Sequence, residues 1–250
     1  MKAVCNTDCG KVRAHNEDSV GVLTGENGQI LSAVADGMGG HAAGEVASRL
    51  ALEMIEKKWH ELDHSLTRDE AIQWLNHLVR SLNVHLFDYA EKHPECHGMG
   101  TTLAAALCSE DYIAITAVGD SRIYMWKEGE GIRQCTEDHT LVHELVKSGQ
   151  ISKKDAEVHP DRHVLMRALG TEPAIQLDTQ LLNWEGASYL VICSDGLTNE
   201  LSDEEITVIL GEKMSLYEKT EQLIREANDA GGKDNISVII ISHDSDGDRK

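Results

Sequence analysis

The feature that most restricts the fold of this chain is a series of short apolar segments in its middle, many of them joined by brief turns rich in glycine or acidic residues. The turn KEGEG at 127–131 is one example. Strands that follow one another this closely favour antiparallel pairing. The predicted strands are 30–35, 101–108, 112–118, 122–126, 132–135, 175–182, 189–193 and 236–242.

Long helical patterns before and after these strands indicate an α+β fold, because strands and helices do not alternate strictly. Two of the predicted helices begin with a capping box, Thr67 with Glu70 and Ser202 with Glu205. The 250 residues, 41% of them hydrophobic, suffice for one well-buried domain, which we predict over 1–243 with a disordered tail at 244–250. The predicted helices are 43–60, 67–90, 203–210 and 215–229.

The charge of the chain restricts its partners. Asp and Glu number 43 against 23 Lys and Arg, which gives a formal net charge of -20. A field of this sign repels nucleic acid and anionic membranes, and it helps to hold divalent cations. No apolar segment approaches the length of a membrane span, and the N-terminus shows no apolar signal core. The six cysteines form no C-x-x-C pair, and their spacing in a chain of this length does not indicate a disulfide framework. Together with the N-terminal sequence, this predicts a reduced, cytoplasmic protein.

An aspartate stands at one end of each of four predicted strands. Asp36, Asp120 and Asp195 follow a strand, and Asp234 precedes the last one. If these ends meet at one edge, the four carboxylates would repel one another unless cations neutralise them, and oxygen ligands select Mg²⁺ or Mn²⁺ over zinc. Gly37 permits close approach, so that its carbonyl could also ligate. The alternative is that each aspartate forms an ordinary turn.

A second polar cluster, RAHNED, lies upstream at 13–18. The guanidinium of Arg13 could bind a phosphate through two parallel hydrogen bonds. Glu17 and Asp18 could orient water on a bound metal. A solvated surface turn is the alternative, since such polar runs are common at protein surfaces.

Taken in order, these residues resemble the type 2C metal-dependent protein serine/threonine phosphatases, and most closely the bacterial single-domain branch that opposes eukaryotic-like Ser/Thr kinases. The resemblance runs from about residue 3 to residue 243, and it is specific because eight motifs occur in the right order. The motifs are Arg13-x-x-Asn16-Glu17-Asp18, Asp36-Gly37-Met38-Gly39-Gly40-His41-x-x-Gly44-Glu45, Gly100-Thr101-Thr102, Val118-Gly119-Asp120-Ser121-Arg122, Asp138-His139, Arg167-Ala168-Leu169-Gly170, Cys193-Ser194-Asp195-Gly196-Leu197 and Asp234-Asn235.

The resemblance implies a sandwich of two antiparallel sheets flanked on both sides by helices, with a flap near 139–169 beside the site. It implies that Asp36 bridges two cations and that the Gly37 carbonyl ligates the first. The second cation would be bound by Asp195 and Asp234. A third, weaker cation would lie between Asp195 and Asp120.

The same resemblance implies the chemistry and the partners. Arg13 would receive the phosphate, and Glu17 would act on the metal pair directly or through water. Hydroxide bridging two Mn²⁺ or Mg²⁺ ions would attack the phosphorus of phosphoserine or phosphothreonine in proteins. The implied partners are phosphorylated proteins and a cognate eukaryotic-like Ser/Thr kinase, and the implied state is a monomer. A catalytically silent scaffold that binds phosphoproteins is the alternative function.

One position departs from the family pattern. Eukaryotic relatives carry a histidine, proposed as the general acid, directly after the first Asp-Gly, whereas this chain has Met38. The leaving alkoxide must then take its proton from another source, such as metal-bound water or His41.

Other motifs resemble metal sites. Residues 60–64 match the H-E-x-x-H zinc-protease signature, but both histidines fall on the polar stripe of the predicted helix. Histidine pairs at 139/143 and 159/163 have the spacing of zinc ligands on a helix, although solvated faces explain them better. The aspartates at 244–248 are similar to the start of a calcium loop, but the chain ends before the twelfth-position glutamate.

Overall fold

The computed structural model of the chain describes residues 1–25, 28–40 and 42–243. The strands of these ranges are β1 (Lys2–Asp8), β2 (Asp18–Thr24), β3 (Ile30–Met38), β4 (Gly100–Thr101), β5 (Leu103–Cys108), β6 (Ile113–Val118), β7 (Arg122–Lys127), β8 (Gly131–Gln134), β9 (Asp178–Leu182), β10 (Tyr189–Cys193) and β11 (Ile236–Ser242). They form two antiparallel sheets. One has the order β1-β11-β10-β7-β8, and the other has the order β2-β3-β5-β6-β9, with β4 paired to the end of β3.

Helices cover the outer face of each sheet. The pair α1 and α2 packs on the sheet that contains β3, and the pair α6 and α7 packs on the sheet that contains β10. No helix in the described ranges is long and apolar enough to cross a membrane. The helices are α1 (Ala43–His60), α2 (Arg68–Lys92), α3 (Leu141–Lys147), α4 (Lys153–Glu157), α5 (Asp195–Thr198), α6 (Asp203–Gly211) and α7 (Leu216–Ala230).

The side chains of β3 show how the layers are built. Ile30 and Val34 point towards the other sheet, and Leu31, Ala33 and Ala35 point towards α1 and α2. Successive residues of a strand face opposite sides, so a strand that is buried on both faces is apolar at most positions, and Ser32 is the buried polar exception in this part of β3. The sandwich therefore has one apolar layer between the sheets and one beneath each pair of helices.

The predicted α+β class and the helix-flanked sandwich are confirmed, and so are all four predicted helices. Both predicted capping boxes form. Glu70 Oε2 accepts the backbone N–H of Thr67 at 2.8 Å, and Glu205 Oε2 accepts that of Ser202 at 2.8 Å. These bonds satisfy N–H groups that the first turn of a helix leaves free.

The sequence does not predict the strands β1 and β2. It also predicts a strand over 175–182 that is longer than the observed β9. β1 and β2 lie at sheet edges, and most of their side chains are only half-buried. Their mixed polar and apolar residues weaken the strand pattern. Ile175 and Leu177 precede β9 in a loop, where they pack against the core beneath α1 and α2.

The zinc-like motifs do not form the helical arrangements that their spacing suggests. α1 ends at His60, so His64 lies beyond the helix, where its Nδ1 is 2.7 Å from Asp63 Oδ1. The histidines of the other two pairs do not share a helix either. α3 begins after His139, so only His143 lies on it, and α4 ends before both His159 and His163. The calcium-like residues at 244–248 lie outside the described residues.

Candidate active site

A cavity of about 510 Å³ lies at the edge where β3, β6 and β10 end and β11 begins. Strand ends from both sheets meet here, which brings together carboxylates that are far apart in the chain. The seven residues predicted to bind metal or phosphate, or to act on the metal pair, all line this cavity: Arg13, Glu17, Asp36, Gly37, Asp120, Asp195 and Asp234.

Asp18 and Asp36 face each other across the pairing of β2 with β3. Directly opposed residues of an antiparallel pair carry their side chains on the same face of the sheet. Asp18 is buried, and its Oδ2 accepts a hydrogen bond from Ser194 Oγ at 2.7 Å. Burial raises the pKa of Asp18 to about 7. This aspartate, which was given only a water-orienting role, is therefore part of the carboxylate cluster.

Position 37 is restricted to glycine, because the first turn of α1 leaves no room for a side chain there. A Cβ on Gly37 would lie 2.0 Å from the carbonyl oxygen of Gly44 and 2.8 Å from that of Glu17. The backbone N–H of Gly37 donates to the Glu17 carbonyl at 3.0 Å. The space beside this glycine therefore holds backbone from α1, and the close contact brings Glu17 next to Asp36.

Asp195 and Asp234 come from neighbouring strands of the other sheet. Asp195 begins α5 two residues after the end of β10, and Asp234 lies two residues before the start of β11, which runs antiparallel to β10. Asp195 Oδ2 accepts from Asn199 Nδ2 at 2.9 Å. Its Oδ1 is buried and has no hydrogen-bond partner among the described residues. An unpartnered buried carboxylate oxygen of this kind requires a further positive or donating group.

Asp120 lies in the turn between β6 and β7, and Thr102 connects that turn to the end of β3. The Thr102 hydroxyl accepts the backbone N–H of Asp36 at 3.0 Å, and it lies 2.7 Å from the hydroxyl of Ser121. These hydrogen bonds fix the turn that carries Asp120 relative to the end of β3 that carries Asp36.

Ionisation of the clustered carboxyl groups is strongly disfavoured. Burial is the largest cause, and the charges of neighbouring aspartates add to it. The pKa of Asp36 is raised well above its ordinary value by burial and by the charges of Asp18 and Asp195. Burial, with the charge of Asp195, raises the pKa of Asp120 to about 7, and burial also raises the pKa of Asp195. Ionising all of them together requires compensating positive charge.

The donor set fits hydrated Mg²⁺ or Mn²⁺. The available ligands are oxygens, and the buried Oδ1 atoms of Asp18 and Asp195 lack partners in the part of the chain that the structure describes. No three His, Cys, Asp or Glu side chains within 1–25, 28–40 and 42–243 form a ready-made metal-binding group. Hard cations of this class retain several waters and need only one or two direct carboxylate ligands, so an incomplete protein shell is compatible with them.

Arg13 reaches the cavity from the loop after β1. Its Nη2 donates to Asp234 Oδ2 at 2.7 Å, so the predicted phosphate ligand is paired with a predicted metal ligand. Both side chains are partly exposed. Glu17 is half-buried beside them, and burial raises its pKa.

Asn235 is a functional residue to which the sequence motifs assigned no role. Its Nδ2 donates to the carbonyls of Cys9 and His15, each at 2.9 Å, and its Oδ1 accepts the N–H of Glu17 at 2.7 Å. One buried side chain therefore attaches the loop that carries Arg13 to the start of β11. A lone asparagine beside a strand gives no sequence signal for three such bonds.

The flap segment also contributes to the cavity. Arg162 and His163 line it, and His163 Nδ1 lies 4.0 Å from Asp195 Oδ2. The sequence offered a zinc pair or, preferably, a solvated helix face for His159 and His163, and neither predicts this place beside Asp195. Met38 lines the cavity as well, whereas His41, considered as a proton donor, lies outside the described residues.

Comparison with known proteins identifies the family. The family model described as "Protein phosphatase 2C" matches residues 7–236. The chain is 43% identical over 244 residues to the serine/threonine phosphatase stp of Listeria monocytogenes, covering 98% of this chain and 96% of that protein. It is 37% identical over 238 residues to the protein phosphatase PhpP of Streptococcus pneumoniae, covering 94% of this chain and 95% of that protein.

Solved structures agree with the sequence comparisons. The crystal structure of the serine/threonine phosphatase Stp1 from Staphylococcus aureus matches with a TM-score of 0.92 at 35% identity, covering 96% of this chain and 94% of that chain. The catalytic domain of the phosphatase PstP, crystallised in complex with two manganese ions, matches with a TM-score of 0.82 at 34% identity, covering 96% of both chains. The chain belongs to the protein phosphatase 2C family.

Proposed function

We propose that this chain hydrolyses phosphoserine and phosphothreonine in proteins and thereby reverses the action of Ser/Thr kinases. The observation that carries the proposal is the single cavity at which Asp36, Asp195 and Asp234 meet Arg13. The fit of these oxygen donors to hard cations supports it, and so does the similarity to a phosphatase solved with two manganese ions.

The residues have distinct roles in this proposal. Asp36 and the carbonyl of Gly37 would hold one cation, and Asp195 and Asp234, together with Asp36, would hold a second. Two such Mn²⁺ or Mg²⁺ ions, when bound, supply a nucleophile from water at neutral pH and offset the charge on the phosphoryl oxygens. Asp120 and Asp195 hold a third, weaker ion.

Arg13 binds the phosphate, and it is placed to do so because its guanidinium already lies at the cavity beside Asp234. A planar guanidinium matches two phosphoryl oxygens at once and stabilises the charge that develops on them. Glu17 orients water beside the cations, and Asn235 holds the backbone of Glu17 in place.

The proposed partners follow from this chemistry. The substrates are phosphorylated proteins, and a eukaryotic-like Ser/Thr kinase supplies them. The six cysteines are free, which is typical of a reducing compartment and supports a cytoplasmic location. A net charge of -20 opposes self-association and supports a monomer.

The test is release of inorganic phosphate from p-nitrophenyl phosphate and from a phosphothreonine peptide, with Mn²⁺ and with EDTA. We expect turnover only with the metal. Asp36→Ala should lower turnover by at least ~10²-fold, the loss seen when one group that stabilises a transition-state charge is removed. Asp229→Ala is the matched control, because Asp229 is an exposed aspartate paired with Lys11 outside the cavity.

Turnover that survives EDTA or Asp36→Ala would contradict the proposal. Tight binding of the phosphopeptide in excess Mn²⁺ without phosphate release would instead support the alternative, a catalytically silent phosphoprotein-binding scaffold.

A further inference from the structure

The turn that carries Asp120 is held from two sides by a neighbouring dipeptide, Asp138-His139. Asp138 accepts three hydrogen bonds from the guanidinium of Arg122, at 2.6 to 3.1 Å, on the far side of the turn. His139 holds the near side at Gly119. The dipeptide therefore contacts Gly119 and Arg122, the residues on either side of the pair Asp120-Ser121.

His139 makes two hydrogen bonds to Gly119. Its ring Nδ1 accepts the Gly119 N–H at 3.2 Å, and its backbone N–H donates to the Gly119 carbonyl at 2.9 Å. The peptide groups on both sides of Gly119 are fixed in this way, and the second is joined directly to Asp120. Because Nδ1 accepts, the ring proton lies on Nε2 in the neutral tautomer. His139 is buried, so water does not compete for these bonds.

The other side of the His139 ring connects to the end of the flap segment. Nε2 lies 2.9 Å from Asp178 Oδ2 at the start of β9, and the same oxygen accepts from Arg167 Nη1 at 2.8 Å. The carbonyl of His139 also accepts the backbone N–H of Met166 at 2.8 Å. Met166 and Arg167 are three to five residues from Arg162 and His163, which line the cavity.

We propose that His139 is a positioning residue that holds Asp120 in place for the weakest cation and, through Asp178 and Arg167, links that cation's site to the flap. The proposal rests on the proposed function. An outer residue that orients a metal ligand typically changes metal affinity by 10- to 100-fold when it is lost. The two ring nitrogens have separate tasks, so they can be tested separately.

Two amide variants separate these tasks. In His139→Asn, the short side chain presents its carbonyl oxygen near the position of Nδ1, which retains the acceptor for Gly119 and loses the contact with Asp178. In His139→Gln, the longer side chain presents its amide nitrogen near the position of Nε2, which retains the donor to Asp178 and loses the acceptor for Gly119. Both are close to histidine in size and polarity, and thermal unfolding checks that each is folded.

Mn²⁺ affinity is measured by titration calorimetry on the intact chain, with Asp120→Ala identifying the weakest site. We expect His139→Gln to weaken that site by ~10-fold and His139→Asn to change it by less than about 2-fold. In the Asp120→Ala background, His139→Gln should have no further effect, because the ligand that it positions is gone. His139→Asn loses the contact that connects the site to the flap segment. We therefore expect it to raise KM for a phosphopeptide, which is large enough to contact the flap, but not KM for the smaller p-nitrophenyl phosphate.

Several results would overturn the inference. One is a His139→Gln variant with wild-type Mn²⁺ affinity. Another is a His139→Gln variant that still weakens Mn²⁺ binding in the Asp120→Ala background. The third is the same Mn²⁺ affinity and the same KM for both amide variants. A wild-type chain that neither binds Mn²⁺ nor releases phosphate would overturn the proposed function together with this inference. Normal wild-type binding and turnover with an unaffected His139→Gln would overturn this inference alone.

Discussion

Asn235 shows how one uncharged side chain can organise a charged site. It sits next to Asp234 and forms hydrogen bonds with Cys9, His15 and Glu17, all from the loop that also contains Arg13. Its amide combines two donors with an acceptor, and no carboxylate or hydroxyl of similar size offers that set. The distance between the groups proposed to bind phosphate and metal therefore depends on this amide.

Asn235→Asp should lower kcat/KM by about 10- to 100-fold, because it replaces two donors with an oxygen that faces the carbonyls of Cys9 and His15. Phosphopeptide kinetics at saturating Mn²⁺ measure the effect. Asn183→Asp is the control, since Asn183 is exposed and uses only its oxygen, as acceptor from Arg68, in its observed bond. Equal kinetics for both variants would show that Asn235 has no positioning role.

At the level of elements, the contact between the end of β3 and the start of α1 determines where Asp36 lies. The backbones of Gly37 and Gly44 touch, and a Cβ on Gly44 would lie only 2.7 Å from the Gly37 carbonyl oxygen. Two glycines permit this approach because they have no side chain between the two backbones. The helix can then cover the outer face of the sheet without displacing the strand end.

Gly37→Ala should destabilise the fold by about 3 kcal/mol or more, because backbone atoms of Gly44 and Glu17 cannot move aside as a side chain would. Urea denaturation measures the change. Gly40→Ala is the matched control, since a Cβ on Gly40 meets nothing within 4 Å, and it should change stability by less than about 0.5 kcal/mol. A Gly37→Ala variant as stable as Gly40→Ala would contradict the close contact.

For the whole molecule, the carboxylate cluster links stability to pH. The pKa of Asp18 and that of Asp120 rise to about 7 on folding, against an ordinary value of 3.8. Between these values the folded state holds more protons than the unfolded state. Stability without cations therefore falls as pH rises from about 4 to about 7. Burial lowers the pKa of His139, which acts in the opposite sense, but a single group opposes several carboxylates.

In EDTA, the melting temperature should be higher at about pH 5.5 than at about pH 8, and Mn²⁺ should raise it more at pH 8, where metal binding displaces fewer protons. Differential scanning calorimetry measures both effects. Asp18→Asn retains an acceptor for Ser194 and removes one titrating group, so it should flatten the dependence in EDTA. A melting temperature in EDTA that rises over this range would refute the linkage.

The net charge of -20 also acts at the scale of the whole molecule, because it repels anionic peptides before they reach the cavity. A phosphothreonine peptide flanked by lysines should have a kcat/KM ~10-fold above that of the same peptide flanked by glutamates at low salt. The ratio should shrink towards one at about 0.5 M salt, where screening is nearly complete. A ratio that does not depend on salt would indicate local contacts instead.

Much of this protein follows from the order of its residues alone. The helices, most strands and the four aspartates at strand ends were all predictable, because periodicity and strand limits are local properties that burial imposes on neighbouring residues. The resemblance to the phosphatase family supplied the sandwich, which is confirmed, and the metal-binding roles proposed above. The edge strands β1 and β2 escaped prediction, since their pattern is set by partners far along the chain.

Other features depended on how distant segments pack together. Asn235 binds a backbone carbonyl 226 residues away, and no pattern around either residue indicates that bond. Gly37 indicated close approach of its carbonyl to a ligand, and the structure shows that the missing side chain also permits the approach of α1. The spacing of His139 favoured a solvated helix face over a zinc pair, but its buried ring joins the Asp120 turn to the end of the flap segment. In each case the residue type is visible in the sequence, but its partner depends on the packing of sheets and loops, which local patterns do not encode.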